Sequence, residues 1–334
     1  MTLTELKYIV AVAREKHFGK GADACHVSQP TLSVAIKKLE EELQVKLFER
    51  NANEITVTPL GEEIIRQAQS VLEQADNIRE IAKRGKDPLA GALRLGVIYT
   101  IGPYLLPDLV RQMIAHTPQM PLILQENFTV RLLEELRNGE IDCAILAEPF
   151  PDTNLAIAPL YDEPFMAAVP SGHALASRSS VTAEEMKKET MLLLGNGHCF
   201  RDHVLEVCPE FARFSSSADG IRKSFEGSSL ETIKHMVAAG MGITLVPRLG
   251  VPKEALIEQS AKRKTGKTKV SKDNKVNKVA AEQPSFIKYL PFEGLIPSRR
   301  VVLVWRRSFT RYEAIAALRN AIYACELPGV TRLS

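Results

Sequence analysis

Leu6, Ile9, Val10 and Ala13 recur at the spacing of one helical face. Thr2 and Glu5 precede that stripe as S/T-x-x-E, where each side chain satisfies a backbone N–H of the first turn, so a helix opens there. A second short helix is predicted over 19–25. Ser28 then offers a cap, and Pro30 sits in a first turn where its missing N–H is not needed. They open a third helix with Leu32, Ile36, Leu39 and Leu43 on its buried stripe. Two helices around a tight turn, the second capped and amphipathic, make a helix-turn-helix pattern. Residues 48–57 read as a short hairpin, or wing.

Thr58 and Pro59 start a long helix. Its apolar residues, Ile64, Ala68, Val71, Ala75, Ile78 and Ala82, step 4-3-4-3-4, a heptad seam that favours a partner helix over packing on its own domain. Residues 85–91 (GKDPLAG) form a linker. Beyond it strands and helices alternate: strand 93–98, helix 104–116, strand 122–124, helix 129–137 and strand 141–146. Farther on, a Ser228/Glu231 capping box opens a helix to Gly240, followed by strand 243–246. Such alternation builds parallel sheets with helices on both faces. The stretch 259–284 is polar, Lys-rich and aperiodic. It is expected to be a solvated loop or insertion rather than a nucleic-acid tail.

Hydrophobic residues at 45% and charged residues at 25% give an ordinary globular balance over 334 residues, enough for two or three domains. No apolar run has the roughly 18 residues of a spanning helix. The N-terminus lacks the basic start and apolar block of an export signal, so a cytoplasmic protein is expected, with no membrane partner. The net charge of +3 misleads. Residues 262–278 carry eight basic side chains and one acidic, a net of +7, which leaves 3 − 7 = −4 elsewhere. Residues 1–60 hold eight of each sign, so charge alone does not identify a nucleic-acid reader. Five cysteines in such a chain argue against a structural disulfide framework.

Residues 1–61 resemble the winged helix-turn-helix of LysR-type transcription regulators. The match is carried by Leu6, Phe18, Ala22, His26-Val27-Ser28-Gln29-Pro30, Ser33, Ile36, Leu39-Glu40, Leu43, Leu47-Phe48-Glu49-Arg50, Thr58 and Gly61. Gln44 departs from the family's usual Gly after the recognition helix, and the wing tip Asn53-Glu54 lacks basic residues. The resemblance implies a DNA-binding domain over 1–58, a dimerisation helix over 59–87 and a regulatory domain over 91–334. That domain should have the α/β fold of periplasmic binding proteins, with subdomain I at 91–162 and about 301–334 and subdomain II at about 163–300. Homodimers or homotetramers on promoter DNA, with RNA polymerase as a further partner, are implied as well. Ser28, Gln29, Pro30, Thr31 and Ser33 should face the major groove, and Lys37 and Arg50 the phosphates.

The C-terminal part is similar to the peroxide-sensing members of that family. The segments are Gly195-Asn196-Gly197-His198-Cys199-Phe200-Arg201-Asp202 with Cys208, residues 100–107, and residues 229–247. Hydrogen peroxide is the implied effector, Cys199 the sensing thiol and Cys208 the resolving one.

The residues support that chemistry in their own right. A thiolate attacks peroxide, so a sensing Cys is expected to have a lowered pKa. Cys199 stands at a predicted helix start, where free N–H groups favour the anion. His198 and Arg201 lie beside it, and Asp202 could accept a proton or hold a water. Thr100 and Thr129, at the carboxyl edge of the sheet, could hold peroxide; Thr129 could equally be a plain helix cap. Were Cys199 and Cys208 on one regular helix, about 13.5 Å would separate them, whereas a disulfide needs Cα atoms within about 4.4–6.8 Å. Oxidation would then have to unwind the segment. Cys25 and Cys143 read as small buried hydrophobes, and nothing marks Cys325 as activated.

Three other functions bear on the same residues. A thiol peroxidase would turn over with a thioredoxin-type reductant, but a DNA reader suits no bulk scavenger, so an enzyme is not expected. A metal sensor would use His198, Cys199, His203 and Cys208, whose spacing matches no zinc module; no cofactor or metal is expected. A regulator of another small effector would leave Cys199 inert.

Overall fold

The computed structural model describes residues 1–50, 55–84, 87, 89–151, 154–208, 226–227, 229–253, 255 and 286–333. The Lys-rich stretch 259–284, the wing tip Asn53-Glu54, Ser228 and the side chains of Arg50 and Ala82 lie outside the described residues.

Helix α1 (Leu3–Glu15) opens on the complete Thr2–Glu5 capping box. Helix α2 (Phe18–Ala24) is capped by the His17 ring, which accepts from the N–H groups of Gly19 and Lys20. A left-handed His26, φ 56°, turns the chain into α3 (Gln29–Leu43), whose cap is Ser28. Gln44 ends α3 in the left-handed region at φ 56°, a conformation that Gly adopts without strain. Its side-chain amide donates to the Glu41 carbonyl at 2.6 Å. Strands β1 (Phe48–Arg50) and β2 (Ile55–Val57) pair antiparallel as a wing. Leu6, Ile9, Val12, Leu32, Ile36, Leu39 and Leu47 form the core of this unit.

Helix α4 (Pro59–Arg84) starts at Thr58, whose hydroxyl accepts from Gly61 N–H. Its seam divides. Ala68, with Leu72 beside the seam, is buried in the N-terminal core, while Val71 is 37% and Ile78 68% exposed. Midway along, α4 is clamped to the regulatory part. Glu73 ion-pairs with Arg306 at 2.7 Å and accepts from the Ser308 hydroxyl at 2.6 Å, and Gln69 donates to the Asn138 carbonyl at 2.9 Å. Gly139 (φ 72°) lets them meet, because a Cβ there would stand 2.7 Å from the Gln69 amide.

In the regulatory part, β3 (Leu93–Ile98) lies parallel to β4 (Leu122–Asn127) and β5 (Cys143–Ala147). Helices α5 (Gly102–His116) and α6 (Thr129–Arg137) connect them. The all-parallel expectation fails beyond β5. Strand β6 (Leu155–Pro170) and strand β11 (Ser298–Arg306) are long and antiparallel to each other. β11 also pairs with β5, and β6 with β9 (Thr244–Pro247) and β10 (Ile287–Pro291), all antiparallel. The order β10-β6-β11-β5-β3-β4 makes one mixed sheet serving two cores. One core gathers residues between 93 and 161 with 301–327 and includes the buried face of α10 (Tyr312–Ala324). The other gathers residues between 165 and 292. That second core holds the short α7 (Ala183–Met186), β7 (Leu193–Leu194), α8 (Cys199–Val207), β8 (Glu226–Gly227) and α9 (Leu230–Ala238). A short β12 (Thr331–Arg332) pairs with β6. This is the two-subdomain α/β architecture of periplasmic binding proteins. Among the described residues, no helix is long and apolar enough to cross a membrane.

Two expected caps are corrected. Phe128, not Thr129, is the N-cap of α6, and Thr129 is the first helical residue. Ser229 caps α9 by position without a side-chain bond, so Glu231 is not the third residue of a capping box.

Candidate thiol site and DNA-reading helix

The outer face of α3 carries Gln29, Pro30, Thr31 and Lys37, all exposed, with Ser33 half-buried. Ser28 is held by its capping role and meets the Thr31 hydroxyl at 2.8 Å. Val34, 68% exposed, lies on the same face and was missed in the sequence because it reads as one more apolar residue of an amphipathic helix. An exposed methyl pair in that position suits a thymine methyl group. The backbone of Arg50 lies in the wing.

Cys199 is the first residue of α8 and half-buried. Gly197 brings the chain in with φ 95° and lies against the Phe128 ring, 3.3 Å from where its Cβ would be. His198 is buried, its ring edge-on to Phe128 at 4.8 Å and near Tyr99 at 5.8 Å. This aromatic cluster packs against the turn that leads into α8. Burial pushes the Cys199 pKa above the usual thiol value and outweighs three influences that favour the anion: the Arg299 charge, the Thr129 hydroxyl and the Phe200 N–H. Asp202, exposed on the first turn, works with burial. The expected lowered pKa is therefore corrected. Anion-stabilising groups surround a thiol whose pKa burial holds above the ordinary value.

The cation acting on Cys199 is Arg299 rather than Arg201. Arg201, buried in α8, donates to the Leu194 carbonyl at 2.8 Å. Arg299 is fully buried on β11 and paired with Glu163 directly across on β6, Nε to Oε2 2.9 Å. Its other nitrogens reach the Thr100 hydroxyl at 2.7 Å and the Thr100 carbonyl at 2.9 Å. The guanidinium also lies 5.3 Å from the Phe200 ring centroid. Glu163 accepts a further bond from Leu249 N–H at 2.9 Å. Thr100 is thus engaged as an acceptor from Arg299. Thr129 is different: among the described residues its buried hydroxyl has no ordinary hydrogen-bond partner, and it acts on the neighbouring Cys199 thiol.

At the far end of α8, Cys208 is buried in the second core. Nine residues of regular helix separate it from Cys199 by about 13.5 Å, so the two thiols cannot bond with α8 intact. His203 donates from Nε2 to the Glu148 carbonyl at 2.8 Å. Among the described residues, no group of three or more His, Cys, Asp or Glu is placed to hold a metal ion.

Tyr104 of α5 donates to Glu231 of α9 at 2.6 Å, and Lys234 joins Glu231 to the Gly250 carbonyl. Gly250 lies against the Tyr104 ring, 3.1 Å from where its Cβ would be. These contacts join the two cores beside β6, where Leu249, next to Gly250, donates to Glu163.

Residues 3–62 match the model of the bacterial regulatory helix-turn-helix proteins of the lysR family, and residues 86–258 match the LysR substrate binding domain. The DNA-binding transcriptional dual regulator OxyR of Escherichia coli K12 is 40% identical over 254 residues, 76% of this chain and 81% of its own. A full-length OxyR variant from Pseudomonas aeruginosa aligns with TM-score 0.71 and 44% identity, covering 98% of this chain and 96% of that one. An H2O2-bound OxyR mutant from Corynebacterium glutamicum aligns at TM-score 0.58 and 30% identity, covering 97% and 92%.

Proposed function

The chain belongs to the LysR family of bacterial helix-turn-helix regulators, and we propose that it is the family's peroxide-responsive kind, a promoter-binding activator switched by oxidation of Cys199. One observation carries this reading. Cys199 and Cys208 sit at opposite ends of a single helix, the first beside Arg299 and an unpartnered Thr129 hydroxyl. Residues 1–58 read DNA, 59–87 dimerise, and 91–334 sense, with the subdomain exchange near 162–163 and 300–301.

Peroxide binds beside Cys199 at the hydroxyls of Thr129 and Thr100, walled by His198. The sulfur attacks one peroxide oxygen; the S–O bond forms as the O–O bond breaks. The departing hydroxide takes the thiol proton and leaves as water. Because burial keeps the thiol protonated, that proton moves within the same event. The Arg299 charge stabilises the negative charge that develops on sulfur and on the leaving oxygen. Arg201 holds the first turn of α8 in place, and Asp202 borders the site on the solvent side. The Cys208 thiol then attacks the sulfenic sulfur of Cys199. The S–S bond forms, the S–O bond breaks, and a second water leaves with the Cys208 proton. Residues 199–208 must unwind for this to happen, giving a two-state element that neighbouring subunits read out.

The active species is a homodimer or homotetramer on double-stranded promoter DNA, recruiting RNA polymerase in the cytoplasm. It consumes one peroxide per switching event and is not an enzyme. The test is stoichiometric peroxide followed by mass mapping. A Cys199–Cys208 bond and a changed promoter footprint are expected, with Cys199→Ser inert and Cys208→Ser stopping at the sulfenic acid. An unmodified Cys199, or an oxidised protein with an unchanged footprint, overturns the proposal.

A further inference from the structure

His203 stands one helical turn beyond Cys199 on the same face of α8. A carbonyl can only accept, so the 2.8 Å contact with Glu148 O places the ring proton on Nε2 and leaves Nδ1 an acceptor. Nδ1 is buried and, among the described residues, meets no donor. The ring is 4% exposed and packs against Phe165 and Phe200, with centroids 6.0 and 6.4 Å away. Burial lowers its pKa below the ordinary histidine value, although the bond to Glu148 pulls the other way, so the ring is neutral near pH 7.

The bond crosses between the two cores. Phe200, Val204 and Cys208 of α8 are buried in the second core, whereas Glu148 directly follows β5 of the first. His203 also lies between the two cysteines in sequence, so any path that joins their sulfurs moves it. Its two nitrogens pull in opposite directions. Nε2 holds α8 in its seat, while Nδ1 gains a partner, water, as soon as the ring leaves.

We propose that His203 is a positioning residue for the switch: it holds α8 docked once Cys199 is oxidised, and its release from Glu148 sets the rate at which Cys208 reaches the oxidised sulfur. This rests on the reading of Cys199 and Cys208 as a redox pair. The consequence is kinetic. The step that forms the sulfenic acid is independent of the His203 bond, and the step that forms the disulfide depends on it.

Glutamine places an amide N–H near the position of Nε2, whereas asparagine places its amide near Nδ1, short of Glu148. Full-length wild type, His203→Gln and His203→Asn are mixed with one equivalent of hydrogen peroxide, quenched by alkylation at intervals and mapped by mass. In His203→Asn the disulfide is expected to form about five- to tenfold faster, the change that loss of one hydrogen bond gives. His203→Gln stays close to wild type. With Cys208→Ser added, all three form sulfenic acid at rates within about twofold of one another. Should the asparagine variant fold poorly, His203→Ala, which also lacks the donor, replaces it with the same expectation. Equal disulfide rates in the glutamine and asparagine variants overturn the proposal. So does a sulfenic-acid rate that moves with the disulfide rate, because His203 would then act on the Cys199 chemistry itself. A wild type that forms no Cys199–Cys208 bond defeats the redox-pair reading instead, and is told apart by that result alone.

Discussion

Replacing Thr129 by valine separates stability from reactivity, because the two should move in opposite senses. The exchange keeps the shape of the side chain and deletes one buried hydroxyl that has no ordinary partner among the described residues. An unpaired buried hydroxyl costs about 1–3 kcal/mol, and the cap this residue was expected to provide is not there to be lost. Thr129→Val should therefore stabilise by about 1 kcal/mol, which raises the melting temperature of a domain of this size by about 2–4 °C. The hydroxyl is also one of the three groups that favour charge on the Cys199 sulfur. A hydrogen bond to a charged group contributes about 1.5–3 kcal/mol, so sulfenic-acid formation should slow about 10- to 150-fold. Stopped-flow mixing with peroxide in a Cys208→Ser background reads the rate, and thermal melting of the same sample reads the stability. A more stable protein that reacts at the wild-type rate would refute the role given to the hydroxyl. A less stable one would refute the account of its environment.

Arg299→Met leaves Glu163 buried and unpaired, and should cost about 3–5 kcal/mol in urea unfolding; adding Glu163→Gln should recover a substantial part, and purely additive losses would contradict the pairing. Burial raises the thiol pKa of Cys199 above 9.0 and that of Cys325 to about 12, so the unfolded chain releases these protons first as pH rises. Their contribution to stability is complete below about pH 9 and is lost between there and about 12, while alkylation of Cys199 in the folded protein keeps accelerating through pH 8.5; a plateau near pH 7 would show a low-pKa thiol instead. Val71→Glu with Ile78→Glu places charges on the exposed half of the α4 seam, and light scattering should show smaller particles with weaker promoter binding. An unchanged mass would mean that α4 meets its partner elsewhere.

The elements legible in the sequence are those whose causes are local. The Thr2–Glu5 box, the Ser28 cap, the Thr58 start and the 3.6-residue stripes of α1, α3 and α4 need no knowledge of what they touch. Strand β6 hides because Pro159 and Pro164 argue against a strand. Pro159 is accommodated where the register with β11 slips, between Val301 and Val302, which nothing nearby announces. The Arg299–Glu163 pair spans 136 residues and exists only through that register. A trace of it was readable: in SRRVVLVW, alternation puts Arg299 on the inward face with Val301. Arg201, two residues from Cys199, is the cation the sequence offers, but proximity in sequence is not proximity in space. The direction of the thiol pKa is hidden for a related reason: a helix start can be read from a motif, whereas burial depends on parts of the chain far apart in sequence.

The clamp on α4 gives this molecule a mechanical gear. Glu73 and Gln69 grip the regulatory part on the same turns where Ala68 and Leu72 are set in the N-terminal core, so α4 from there back to Pro59 is a stiff arm within the N-terminal unit. From Glu73 to Pro59 the arm measures about 21 Å, at about 1.5 Å per residue. A tilt of about 10° at the grip would swing the far end by about 3.7 Å, close to the 3.4 Å rise of one base pair. A tilt that leaves both cores intact would therefore carry the N-terminal unit by about the length of one base-pair step.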